Sequence, residues 1–206
     1  MATSTTQTFF KTMVLAFAGM ILVYYGVGQV LAKDWKVETK RTLNAKPEQV
    51  GALVHDLKTW ERWCLTKAEL GPQTQRTIEG EAGKVGHRVV WTGPMGKVML
   101  EFAGTTPNSI DYRIGFEAPA KDGVVAPPMQ NAKGHVEWAA VAAGTEVTWR
   151  DSSEHAGLPG RWIGWFGAHQ QRVEQIQSSS LQSLQAEIDK GTAPVPAVGP
   201  AQPTTK

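Results

Sequence analysis

Residues 35–63 read W-K-V-E-T-K-R-T-L-N-A-K-P-E-Q-V-G-A-L-V-H-D-L-K-T-W-E-R-W, and they decide the fold. Trp35, Val37, Thr39, Arg41 and Leu43 alternate with polar residues, the period of a strand with one face turned inward. Asn44 to Pro47 breaks the alternation. Pro47 suits the first turn of a helix, where its missing N–H has no bond to make. Val50, Leu53, Val54 and Leu57 then recur at helical spacing. Trp60 and Trp63, three apart, share one face of a second short helix.

The same periodicities carry the reading outward. A short polar strand is expected at 76–81 and stronger ones at 85–92, 97–103, 110–116, 135–141 and 145–151. Gly93-Pro94-Met95-Gly96 and Thr106-Pro107-Asn108 are turns. Residues 118–133, rich in Pro, Gly and Ala, read as a loop, a candidate lid or a solvent-exposed insert. Ser152 to Gly160 reads as a connection, after which one helix of about 30 residues starts near Pro159. Its stripe is Trp162, Trp165, Phe166, His169, Val173, Ile176, Leu181, Leu184 and Ile188. Hairpin-linked strands with helices at both ends give an α+β domain, the long helix lying on the sheet.

The order of these motifs resembles the START-like superfamily, in its polyketide cyclase/dehydrase and lipid-transport branch. Ala45-Lys46-Pro47-Glu48-Gln49-Val50 matches the family's turn into the first helix, and Asp56 to Trp63 its D-x-x-x-W-x-x-W segment. Val85 to Gly93, the strand Gly144 to Trp149 and the C-terminal helix continue the likeness over residues 35–189. It implies a helix-grip: a curved antiparallel sheet wrapped around a long C-terminal helix, with an elongated apolar cavity between them. It implies no single activity, because one fold hosts many.

Residues 1–12 read as an N-terminal tail. Met13 to Ala32 is almost wholly apolar, with Gln29 its one strongly polar member. About 20 residues at 1.5 Å each span a hydrocarbon core of about 30 Å, so 13–32 reads as a single transmembrane helix. A cleaved signal peptide, leaving a secreted or periplasmic domain, is the competing reading, with Val30-Leu31-Ala32 as its cleavage region. Lys33, Lys36, Lys40, Arg41 and Lys46 follow the span and only Lys11 precedes it, which favours a cytoplasmic domain. Residues 190–206 are a Pro/Ala/Thr tail with the composition of a disordered segment.

The chain has 206 residues and net charge +2 with interspersed signs, so no nucleic-acid partner is implied. One cysteine, Cys64, excludes a disulfide scaffold. No Cys/His spacing suits zinc, and no phosphate-binding glycine loop occurs; no metal or cofactor is implied. Asp151-Ser152-Ser153-Glu154-His155 places Ser, Asp and His side by side. Triad members converge from separate segments, so this stretch reads as a polar loop.

All eight tryptophans lie between Trp35 and Trp165. Trp91, Trp138, Trp149, Trp162 and Trp165, with Tyr112 and Phe116, fall on expected inward faces. They either fill the core or line a cavity for a flat or greasy ligand. Arg41, His87 and His169 are the polar members of those faces, able to orient a ligand or to serve as satisfied core groups. The leading functional reading is a membrane-anchored module that binds or transports a hydrophobic small molecule or lipid. The alternatives are a cyclase/dehydratase-type enzyme using His87, Tyr112 and Arg41, and an interaction or stress scaffold working through its anchor and tail. The sequence names no protein partner.

Overall fold

The computed structural model describes residues 3–64, 73–94, 96–117 and 130–191. The tail past Gly191, Met95 and most of the expected 118–133 loop lie outside them. The chain divides into two compact units. One runs to Trp35 and takes up Glu154–Gln170; the other holds Lys36–Ser153 and continues from Gln171.

The second unit is built on a seven-stranded antiparallel sheet in the order β1-β7-β6-β5-β4-β3-β2. Its strands are β1 (Asp34–Leu43), β2 (Gln75–Glu79), β3 (Arg88–Gly93), β4 (Gly96–Thr106), β5 (Ser109–Glu117), β6 (Gln130–Val141) and β7 (Gly144–Glu154). β2 to β7 form a meander, and β1 returns to close the edge beside β7. Helices α2 (Pro47–Val54) and α3 (Trp60–Trp63) follow β1, with Pro47 in the first turn of α2 and the Gln49 side chain accepting the Lys46 N–H at 2.9 Å. Val50, Leu53, Val54, Leu57, Trp60 and Trp63 are all buried, as their helical spacing requires.

The C-terminal helix differs from expectation. It is two helices, α4 (Gly157–Trp165) and α5 (Ala168–Asp189). Gly167, at φ 71°, takes the left-handed conformation that ends a helix and that a residue with a Cβ resists. α5 lays Gln177, Ser180, Leu181, Leu184 and Ile188 onto the inner face of the sheet, the helix-grip arrangement. β6 and β7 are longer than their alternation suggested. Gln130–Lys133, expected in a loop, belongs to β6, and Ser152–Glu154, expected in the connection, belongs to β7.

In the first unit, α1 (Thr3–Val30) meets α4. His155 donates its N–H to the Lys33 carbonyl at 2.8 Å. Residues Phe9–Val30 of α1 are long and apolar enough to cross a membrane, by length and composition.

The β6–β7 hairpin turns through Gly144 at φ 131°, where a Cβ would strike the Leu43 carbonyl oxygen. Gly144→Ala is therefore expected to destabilise the fold by about 1–3 kcal/mol, through backbone strain and that clash. Urea unfolding followed by far-UV circular dichroism measures it.

Candidate functional site

Pairing registers set the inner face in rows that cross the sheet. At one end lie Trp138 opposite Val147, and Ile110, Val136 and Trp149, all buried. Trp60 of α3 sits over this region. Its ring lies 4.8 Å from Trp63, 5.9 Å from Tyr112 and 6.1 Å from Trp149. Trp60 Nε1 donates to the Val54 carbonyl at 2.9 Å and Trp63 Nε1 to Thr59 Oγ1 at 3.3 Å. These aromatics pack against one another and satisfy their polar ends within α2 and α3.

The next row is polar. Tyr112 of β5 pairs with Gly134 of β6, and Gly134 pairs with Asp151 of β7. A Cβ at position 134 would fall inside the Tyr112 ring. Because Gly134 has none, Tyr112 lies across the middle strand, and its hydroxyl donates to Asp151 Oδ1 at 2.5 Å. Trp149 Nε1 donates to the same hydroxyl at 2.6 Å. From α5, Gln177 Nε2 donates to Asp151 Oδ2 at 2.8 Å, and Gln177 Oε1 accepts from Thr39 of β1 at 2.7 Å. Burial lifts the Asp151 carboxyl above the usual aspartate range, against the hydrogen bonds from Tyr112 and Gln177 that lower it. Burial first, then the Asp151 charge, pushes the Tyr112 phenol well above its ordinary value.

Beyond this row the inner face opens. Ile114, Ala132 and Ser153 are half-buried, and Phe116 is 40% exposed. This is the end at which Glu117 leaves β5 and Gln130 enters β6, and where β3 turns into β4. Trp91, opposite Val98, is buried here, and among the described residues its indole N–H has no partner; the same holds for Trp138 Nε1 at the sealed end. A buried donor without an acceptor costs about 1–3 kcal/mol. The arrangement is an apolar strip that dead-ends on one carboxyl–phenol pair, a surface able to seat a greasy molecule with a single polar end.

The residues singled out from sequence are dispersed. Tyr112, Trp149 and Trp138 lie on the inner face near the polar row, and Trp91 and Phe116 on its open end. His87 is buried and bound to backbone on both nitrogens: Nε2 accepts the Leu57 N–H at 3.2 Å, and Nδ1 faces the Glu79 carbonyl at 3.1 Å. It ties α2's exit to β2 and has no nitrogen left for a ligand. Arg41 is exposed although its neighbours Val37 and Leu43 are buried. Trp162, Trp165 and His169 belong to the first unit. Trp162 stacks on Tyr24 of α1, Trp165 is 62% exposed, and His169 packs edge-on to Trp35 at 4.8 Å. Partial burial, with His155 nearby, holds the His169 imidazole below its ordinary value.

Asp151, Gln177, Thr39 and Gly134 were not among the candidates. Extending the alternation of Val147 and Trp149 by one step places Asp151 inward. Gln177 lies four residues before Leu181 and seven before Leu184, on the apolar stripe. Gly134 gave no signal, because its role appears only in the register.

Tyr112→Phe leaves Trp149 Nε1 and Asp151 Oδ1 without that partner and is expected to cost about 1–3 kcal/mol. The raised carboxyl gives a pH signature. Folded Asp151 holds its proton above the unfolded value of about 3.9, so its contribution to stability falls as pH rises from there through the folded value. The stability difference between wild type and Asp151→Asn, followed by urea unfolding from acid to neutral pH, is expected to shift toward the variant as pH rises across that window.

Solved structures share this architecture. A protein of Rhizobium leguminosarum superposes with a TM-score of 0.54 at 10% identity, covering 76% of this chain and 95% of its own. One from Mesorhizobium loti gives 0.51 at 14% identity, covering 76% and 98%. Aha1 from Colwellia psychrerythraea gives 0.50 at 13%, also covering 76% and 98%. At such identities the likeness is one of fold. Among curated proteins none matches the sequence. The family model described as polyketide cyclase/dehydrase and lipid transport matches residues 34–189, three quarters of the chain, and the protein belongs to that family.

Proposed function

We propose that this protein is a membrane-anchored module that binds a hydrophobic small molecule or lipid on the inner face of its sheet and transports it. The observation that carries the reading is the half-open apolar strip from Phe116 and Trp91 to the Tyr112–Asp151 pair. Family membership, with lipid transport in the family's description, supports the class of ligand. Burial of apolar surface is worth roughly 25 cal/mol per Å², so a few hundred Å² offsets part of the cost of fixing a ligand on a preformed surface.

The anchor in this reading is Phe9–Val30. Its 22 residues extend about 33 Å at 1.5 Å per residue, matching a hydrocarbon core of about 30 Å. Phe9, Leu15, Leu22 and Val30 are among the many large apolar side chains it exposes. Lys33, Lys36, Lys40, Arg41 and Lys46 follow the span, which supports the cytoplasmic side in this reading.

A second reading is favoured by one observation, the short Tyr112–Asp151 contact with both groups held toward their protonated forms. Such a pair suits proton transfer in a dehydratase or cyclase acting on an apolar, polyketide-like substrate. Asp151→Asn separates the two. An enzyme loses turnover in this variant, whereas a carrier has none to lose.

The decisive measurement is native mass spectrometry, with lipid extraction, of the full chain purified from its host's membranes. The expected result is one hydrophobic molecule per chain and an intact mass that includes residues 1–32. Ala132→Trp, which fills the strip beside Ile114 and Ser153, is expected to abolish the co-purifying molecule while the domain stays folded. A folded, empty wild type would overturn the carrier reading, and a mass lacking residues 1–32 would overturn the anchor.

A further inference from the structure

α4 and its C-cap residue Phe166 present Ile163, Trp165 and Phe166 to the surface at 60%, 62% and 70% exposure. Three large apolar side chains within four positions form a patch of the kind that marks an interaction surface. The opposite side of α4 is held on the last turns of α1. Gly28 is the point of closest approach: a Cβ there would come within 2.9 Å of both Leu158 Cδ1 and Trp162 Nε1. A small residue lets two helices meet this closely. Trp162 stacks on Tyr24 with ring centroids 5.8 Å apart and 8° between planes, and its Nε1 donates to the Tyr24 carbonyl at 3.2 Å. Arg161 Nη1 reaches the Gly28 and Gln29 carbonyls at 3.4 and 3.5 Å. There a cation meets the negative end of the helix dipole and carbonyls that have no partner within the helix.

We propose that α4 is an interfacial membrane helix, lying at the headgroup–acyl boundary beside the end of α1 with Ile163, Trp165 and Phe166 among the lipids. This rests on the reading of α1 as a membrane anchor. The depth follows from the contacts. Tyr24 is six residues before Val30, about 9 Å along the helix at 1.5 Å per residue, and interfacial helices sink about 5–10 Å. Trp162 is fixed at that level, so α4 cannot stand clear of a bilayer that α1 spans. The chemistry suits the place. The Trp162 N–H is already bonded, so it enters lipid satisfied. Trp and Tyr favour the interface, and Arg161 sits at the rim, where a guanidinium stays hydrated. Phe17, Met20, Ile21, Val23, Tyr24 and Trp162 together line an apolar recess of about 500 Å³. It continues from α4 along α1 toward the bilayer centre and suits acyl chain segments as its occupant.

The test uses the full chain in phosphatidylcholine vesicles. In a Cys64→Ala background, Phe166→Cys, Val23→Cys and Gln182→Cys each carry one environment-sensitive NBD probe, and doxyl lipids labelled at shallow or deep positions act as quenchers. The expected result is blue-shifted emission at 166 quenched best by shallow doxyl groups, deeper quenching at 23, and water-like emission at 182, an exposed position on α5. Adding Gly28→Leu, which forces α4 off α1, is expected to abolish quenching at 166 and leave it unchanged at 23. Water-like emission at 166 with quenching at 23 would overturn the interfacial helix while leaving the anchor standing. Water-like emission at both positions would overturn the anchor and this inference with it. Quenching at 166 that is indifferent to Gly28→Leu would overturn the docked placement.

Discussion

The Tyr112 ring lying across Gly134 to reach Asp151 is the contact around which the domain is arranged. It joins β5 to β7 over the top of β6, and Gln177 and Thr39 extend it to α5 and β1. Four residues from three strands and one helix depend on Gly134 having no side chain. A carboxyl largely withdrawn from water is costly unless its oxygens are bonded, and here both are. The network therefore specifies where α5 sits along the sheet more sharply than the leucines around it, since apolar contacts tolerate sliding and a hydrogen-bonded carboxyl does not.

The same row divides the inner face. On one side Trp60, Trp63 and Trp149 fill the space between sheet and helices with rings in contact, and Trp138 packs edge-on to His55. On the other side the residues grow more exposed, from Ile114 and Ala132 to Phe116. The aromatic load that suggested a ligand cavity is thus mainly core, and the candidate binding surface is the less aromatic part. Tryptophan is as good at filling a core as at lining a pocket. Only the pairing register shows which of the two each one does.

Fold and site were legible in the sequence to different degrees for a physical reason. Strand and helix identity follow from periods of two and 3.6, which survive in a single chain. The opening strand, the Pro47 turn and the Trp60/Trp63 helix were therefore readable. Boundaries depend on local polar residues whose preferences are weak. Ser152 and Ser153 looked like part of a connection, yet pairing with Lys133 and Ala132 keeps them in β7. The break at Gly167 was a single glycine in an otherwise unbroken apolar stripe, and missing it placed Trp162 and Trp165 with the sheet. His87 had the right face and burial for a site residue. Its two backbone bonds reach 30 residues back to Leu57 and 8 back to Glu79, and no period-two or helical pattern encodes them.

The strip's dimensions bear on what the proposed ligand can be. From the Tyr112–Asp151 row to the Trp91–Phe116 row is four residues along a strand, about 13 Å at 3.3 Å per residue. That length holds a fused polycycle or part of an acyl chain. A longer chain would have to project beyond the strip's open end. The single polar row argues that the ligand has one polar end and that this end enters first. An apolar tip arriving at Asp151 would strip the carboxyl of whatever water its partial exposure allows and return nothing for it. A hydroxyl or carbonyl arriving there would have Tyr112, Asp151 and Gln177 within reach as donors and acceptors. Selectivity would then come from the cost of leaving that row unmatched, because apolar contact alone discriminates weakly between greasy molecules of similar size.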